Sequence, residues 1–68
     1  METIGEKLIK LRGNRSISDV ANAIGVTTQA IWNYENDNRI PRDYIKKKIA
    51  EYYNSNIEDI FFNNKSND

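Results

Sequence analysis

An all-α fold of five short helices is what this sequence predicts, and three observations carry the prediction. Apolar residues recur at helical spacing in successive segments: Ile4, Leu8 and Leu11; Ile17, Val20, Ala21 and Ile24; Ile31 and Tyr34; Ile45, Ile49 and Tyr52. Residues that start helices (Thr3, Ser16, Thr27, Asn56) precede such runs, and residues that tolerate a left-handed backbone (Gly13, Gly25, Asn54) follow them. Finally, 68 residues with no cysteine and no histidine leave room for one small core and no disulfide staple.

The first helix spans Thr3 to Arg12, with Thr3 and Glu6 in capping-box register and Gly13-Asn14 as the stop. Ile9 lies off its apolar stripe. Ser16 caps the second helix, with Asp19 as a weaker partner, and Gly25 ends it. Val26 turns back to the core and Thr27 caps a third helix from Thr28 to Glu35 or Asn36. Pro41 separates this from a fourth helix, about Arg42 to Tyr53, and pre-sets its first turn, with Lys46 and Lys47 outward. Asn56 caps a short fifth helix, and Asp59 falls at its third position. Ile57, Ile60 and Phe61 close the core from below. Residues 1–62 form the domain, and 63–68 read as a disordered polar tail.

The inventory excludes several functions. Without Cys or His there is no thiol nucleophile, no imidazole base and no ordinary zinc ligand set, and no Gly-rich phosphate loop stands in for them. No enzyme, cofactor or small-molecule ligand is expected. No apolar run is long enough to cross a bilayer and the N-terminus is not a secretion signal, so a cytoplasmic protein is expected. Ten basic and ten acidic residues cancel, although Lys7, Lys10, Arg12, Arg15, Arg39, Arg42 and Lys46 to Lys48 precede the acidic end at Glu58, Asp59 and Asp68.

The third helix is the informative one. Ile31, Tyr34 and Glu35 fall on its inward half, whereas Gln29, Asn33 and Asn36 lie nearly opposite with Trp32 lateral. An ordinary surface helix carries Lys and Glu there; this one carries amides and an indole. Inward Glu35 demands a counter-charge, and Arg12, at the edge of the first helix's apolar face, is assigned to it as a structural salt bridge.

The stretch V-A-x-x-I-G-V-T-x-x-x-I-x-x-Y-E from Val20 to Glu35, with N-R-I-P at Asn38 to Pro41 and I-E-D-I-F at Ile57 to Phe61, resembles the helix-turn-helix regulators of the phage-repressor and Cro (XRE) type. The resemblance covers Ile4 to about Phe62 and implies a lambda-repressor-like domain in which the second and third helices form the DNA-binding unit. It departs at three places. The link between the first two helices is about two residues short, Ile17 replaces a common phosphate-binding Gln, and Asp37 replaces a common Gly.

The resemblance implies a sequence-specific transcriptional regulator of the repressor kind, with the third helix, about residues 28–36, in the major groove of double-stranded DNA. A palindromic operator and a weak homodimer belong to the same implication. Thr28, Gln29, Trp32 and Asn33 are then base contacts, and Ser16, Thr27, Asn36, Asn38, Arg39 and Arg42 are backbone contacts. Each has a plainer reading beside it. Ser16 and Thr27 are also helix caps, the amides and loop residues are also ordinary solvated groups, and Trp32 either packs on sugars and thymine methyls or folds back onto Arg39 or the following turn as a lid. Lys46 to Lys48 read first as a solvated face. Phe62 and Ile9 read as packing partners or a small dimer contact. The alternative function is a protein-interaction module, antitoxin-like or anti-repressor, that uses Trp32 and Phe62.

Overall fold

A computed structural model describes residues 2–62. Met1 and the expected tail, 63–68, lie outside the described residues. The chain forms α1 (Ile4–Arg12), α2 (Ile17–Ile24), α3 (Thr28–Glu35), α4 (Asp43–Tyr52) and a terminal π-helical turn (Glu58–Phe62). α3 packs on α1 and α2, α2 also meets α4, and the terminal turn closes against α1. The buried side chains come from all five elements, with Leu8, Val20, Ile24, Ile31, Ile49 and Ile60 at the centre.

The caps set the boundaries. Thr3 Oγ1 accepts the Glu6 amide at 3.1 Å while Glu6 Oε1 accepts the Thr3 amide at 2.9 Å, a complete capping box. Gly25, at φ 90°, takes the left-handed conformation that ends α2, and both its amide and that of Val26 donate to the Ala21 carbonyl. Asn54 does the same after α4 at φ 54°.

Three expectations are corrected at the C-terminal half. α4 starts at Asp43, one residue after the expected start, so Arg42 occupies the N-cap without a side-chain capping bond, and buried Pro41 precedes it. The fifth element is a π-helical turn, not an α-helix capped by Asn56. Asn56 Nδ2 donates to the Asp59 carboxylate at 3.4 Å, and its carbonyl accepts from Ile60. Ile60 and Phe61 of this turn are both buried. Lys46 is not outward: its side chain is 12% exposed, its Nζ sits 5.7 Å and 4.7 Å from the ring centroids of Phe61 and Phe62, and it pairs with Asp43 at 3.7 Å. The reason is the ammonium, which rests on the ring faces beside the Asp43 carboxylate and draws the side chain in. Phe62 and Ile9 both remain about half exposed.

At the other end of α4, Tyr52 and Tyr53 lie with ring centroids 5.0 Å apart, and the Arg15 guanidinium rests 5.3 Å and 5.4 Å from them. Burial, then the Glu35 carboxylate, pushes the Tyr53 phenol from 10.0 up to about 12. The folded protein therefore holds this proton longer than the unfolded chain does. Its contribution to stability is intact below pH 10 and is lost as pH rises from about 10 through about 12. Denaturant midpoints across that window should fall more steeply for the wild type than for Tyr53→Phe, since lysine titration is common to both. Parallel curves would show that the phenol is not coupled to folding.

Candidate nucleic-acid interface

α3 divides its residues sharply. Ile31, Tyr34 and Glu35 are buried; Thr28, Gln29 and Trp32 are exposed and Asn33 is half-buried. Gln29 Nε2 donates to Asn33 Oδ1 at 3.3 Å across one helical turn. That bond uses one amide hydrogen and one acceptor, so the pair keeps donors and acceptors for a ligand on its outer side.

Both hydroxyls expected at the helix starts are caps. Ser16 Oγ accepts the Asp19 amide at 2.9 Å and Thr27 Oγ1 accepts the Ala30 amide at 3.1 Å. Capping leaves first-turn amides of α2 and α3 without intrahelical acceptors, facing outward as anion-compatible donors. The two starts converge, since Ile17 and Ser18 of α2 border one depression with Thr28, Gln29 and Trp32 of α3. Trp32, 45% exposed, is thus on the α2 side of α3, whereas Arg39 borders a separate groove with Ile40, Arg42 and Tyr44. The lid arrangement over Arg39 is not the one observed.

Asn36 is exposed at the end of α3. It is the C-cap of α3, and its Nδ2 donates to the Trp32 carbonyl at 2.9 Å, turning the amide back on its own helix. Asn38, Arg39 and Arg42 are exposed along the following loop, and the Asn38 amide is tied to the Asn33 carbonyl at 2.9 Å.

What aims α3 is an anchorage on α1. Arg12 Nε donates to Glu35 Oε2 at 2.7 Å, and Arg12 Nη1 donates to the Arg15 carbonyl at 2.9 Å. The bond to Glu35 raises the Arg12 guanidinium above its already high range, so the cation persists at any working pH. Arg15 Nη1 in turn bonds the Leu11 carbonyl at 3.1 Å, which braces the short α1–α2 link. A second anchor is not evident from residue spacing. Gly5 packs against the Glu35 backbone so closely that an added Cβ would lie 2.2 Å from its carbonyl oxygen, and the Gly5 amide donates to Asp37 Oδ1 at 2.9 Å. Asp37 holds a left-handed φ of 60° to do this. The available signals are a glycine inside a helical run, which is costly unless something approaches it, and an Asp in a slot that suits Gly.

A family model described as helix-turn-helix, of the XRE type, matches residues 6–60. The chain belongs to that family. As an XRE-type helix-turn-helix protein it is a DNA-binding regulator in the general sense, and its all-helical architecture is that of the family. Neither the curated proteins nor the solved structures contain a significant match to it. Among the described residues, no helix is long and apolar enough to cross a membrane.

Proposed function

We propose that this XRE-type domain is a sequence-specific transcriptional repressor that inserts α3 into the major groove of its operator. Gln29 and Asn33 read base edges, and Thr28 and Trp32 complete the base contact. Ser16, Thr27, Asn36, Asn38, Arg39 and Arg42 lie along the phosphates. The observation that carries the reading is the linked, uncharged Gln29–Asn33 pair on the outward face of a helix whose opposite face is fully committed to the core. An amide of this kind bonds adenine N6 and N7 together, at roughly 1 to 3 kcal/mol of discrimination. Of the six residues along the phosphates only Arg39 and Arg42 are charged, which agrees with a chain of zero net charge. A two-fold dimer on a palindromic site in the cytoplasm is the corresponding arrangement.

Selection from a random duplex pool at low salt tests the proposal. It should enrich one sequence, to which Gln29→Ala binds about tenfold or more weakly. Arg39→Ala and Arg42→Ala should weaken all duplexes alike and each reduce the salt slope by about one. Absence of an enriched site would contradict the reading. The rival, a protein-binding module, draws on the exposure of Trp32 (45%) and Phe62 (54%). Binding through those rings would change little with salt, whereas binding to phosphates falls steeply.

A further inference from the structure

We infer that Asp37 is a positioning residue for the phosphate contacts of the loop at 38–42; the inference rests on the DNA reading of α3. Asp37 is held at two places. Its amide donates to the Tyr34 carbonyl at 3.3 Å, and its Oδ1 accepts the Gly5 amide of α1 at 2.9 Å. Between these bonds its backbone stands at φ 60°, a conformation that glycine takes freely and aspartate takes under strain. Glycine would serve better if the residue only turned the chain, so the carboxylate must contribute something that glycine cannot. Left free, that carboxylate would oppose DNA binding, since it stands two residues before Arg39 and repels phosphate. It is turned instead to the second residue of α1, whose amide has no intrahelical acceptor and where the positive end of the helix dipole offsets its charge. Gly5 is buried, so this end of the bond is anchored in packed structure. The loop that follows has few ties of its own. The Asn38 amide bonds the Asn33 carbonyl at 2.9 Å and Pro41 is buried, but Arg39 and Arg42 are exposed and enter no ion pair among the described residues. The latch on α1 therefore fixes the point from which Asn38 and Arg39 leave α3, which lowers the ordering cost when they meet phosphates.

The test uses the full chain, the duplex enriched by selection and a scrambled duplex. Asp37→Gly keeps the left-handed exit from α3 and deletes the latch, whereas Asp37→Asn keeps an oxygen acceptor for the Gly5 amide and tolerates the same backbone. Urea midpoints establish that each variant is folded under the binding conditions. Asp37→Gly should then bind both duplexes about fivefold more weakly, the effect of one hydrogen bond, with the salt slope reduced by about one. Asp37→Asn should bind as tightly as the wild type or more tightly. Adding Asp37→Gly to Arg39→Ala should weaken binding no further, because the two act on one contact. A residue needed only for stability would lower the urea midpoint and leave the affinity and salt slope of the folded protein unchanged. That result overturns the inference, and so does an Asp37→Gly chain that no longer folds, a loss in Asp37→Asn equal to that in Asp37→Gly, or losses from Asp37→Gly and Arg39→Ala that multiply; base readout by Gln29 stands in each case. If Arg39→Ala binds as the wild type does, or if no duplex is enriched at all, the DNA reading of this loop falls and takes the positioning role with it.

Discussion

Gly5→Ala is expected to destabilise the domain by about 2 to 4 kcal/mol, the combined cost of overpacking and a strained buried hydrogen bond. The new methyl would stand 2.2 Å from the Glu35 carbonyl oxygen, 2.7 Å from its carbon and 2.8 Å from Asp37 Oδ2. Two of those atoms are backbone, so rotating a side chain does not relieve the contact. Helix propensity acts in the opposite direction, since alanine is favoured over glycine by about 1 kcal/mol in a helix interior. The clash outweighs that gain. A domain this size has only about 3 to 10 kcal/mol in total, and the variant should be partly unfolded or melt far lower. Urea denaturation decides it: a midpoint equal to or above the wild type's would mean that α1 and the end of α3 are not in the contact described.

Arg12→Met is expected to cost about 2 to 4 kcal/mol. Removing one partner of a buried pair typically costs about 3 to 5 kcal/mol, because the remaining charge is stranded. The lower range applies here because the Arg12 side chain is 21% exposed, so water partly screens the pair, although the Glu35 side chain is only 4% exposed. The bond from Arg12 to the Arg15 carbonyl is lost as well. The double variant Arg12→Met with Glu35→Leu should recover much of the loss, since an apolar pair strands no charge. Denaturant midpoints of the single and double variants measure this. A double variant as unstable as the single one would mean that packing around Arg12, not the uncompensated carboxylate, sets the cost.

Both variants act at Glu35, whose carbonyl meets Gly5 and whose carboxylate meets Arg12. The last residue of α3 is thus held twice by α1, and the outward face is aimed from behind. One of these anchors is legible in the sequence and the other is not. A carboxylate at an inward helical position requires a cation, and Arg12 is the residue at the right edge to supply it. The Gly5–Asp37 contact joins residues 32 apart in sequence, and neither periodicity nor capping chemistry reaches that far.

The same division runs through the rest of the fold. The caps at Thr3, Ser16 and Thr27 are legible because the rules that place them are local, and so are the stops at Gly25 and Asn54. Lys46 departs from its expected outward place because its ammonium finds the faces of Phe61 and Phe62 and the Asp43 carboxylate, partners that the helical wheel of α4 alone does not show. The terminal turn departs from an α-helix where Asn56 makes its side-chain bond to the Asp59 carboxylate, a choice of partner that residue spacing does not specify. On the presented face, the outward placement of Gln29, Trp32 and Asn33 follows from the wheel. The bond between the two amides, the self-capping of Asn36 and the depression that Trp32 shares with Ile17 depend on rotamers and on the crossing of α2 with α3, which residue spacing does not specify.

The central claim, that α3 reads bases through Gln29, is tested most directly by a cycle between the protein and one atom of the DNA. In the enriched duplex each adenine is replaced by 7-deazaadenine, which deletes the N7 acceptor and keeps Watson–Crick pairing. At one adenine the wild type should lose affinity about fivefold to tenfold, and Gln29→Ala should bind the two duplexes equally. A wild type indifferent to every replacement, or a loss of the same size in Gln29→Ala, would contradict it.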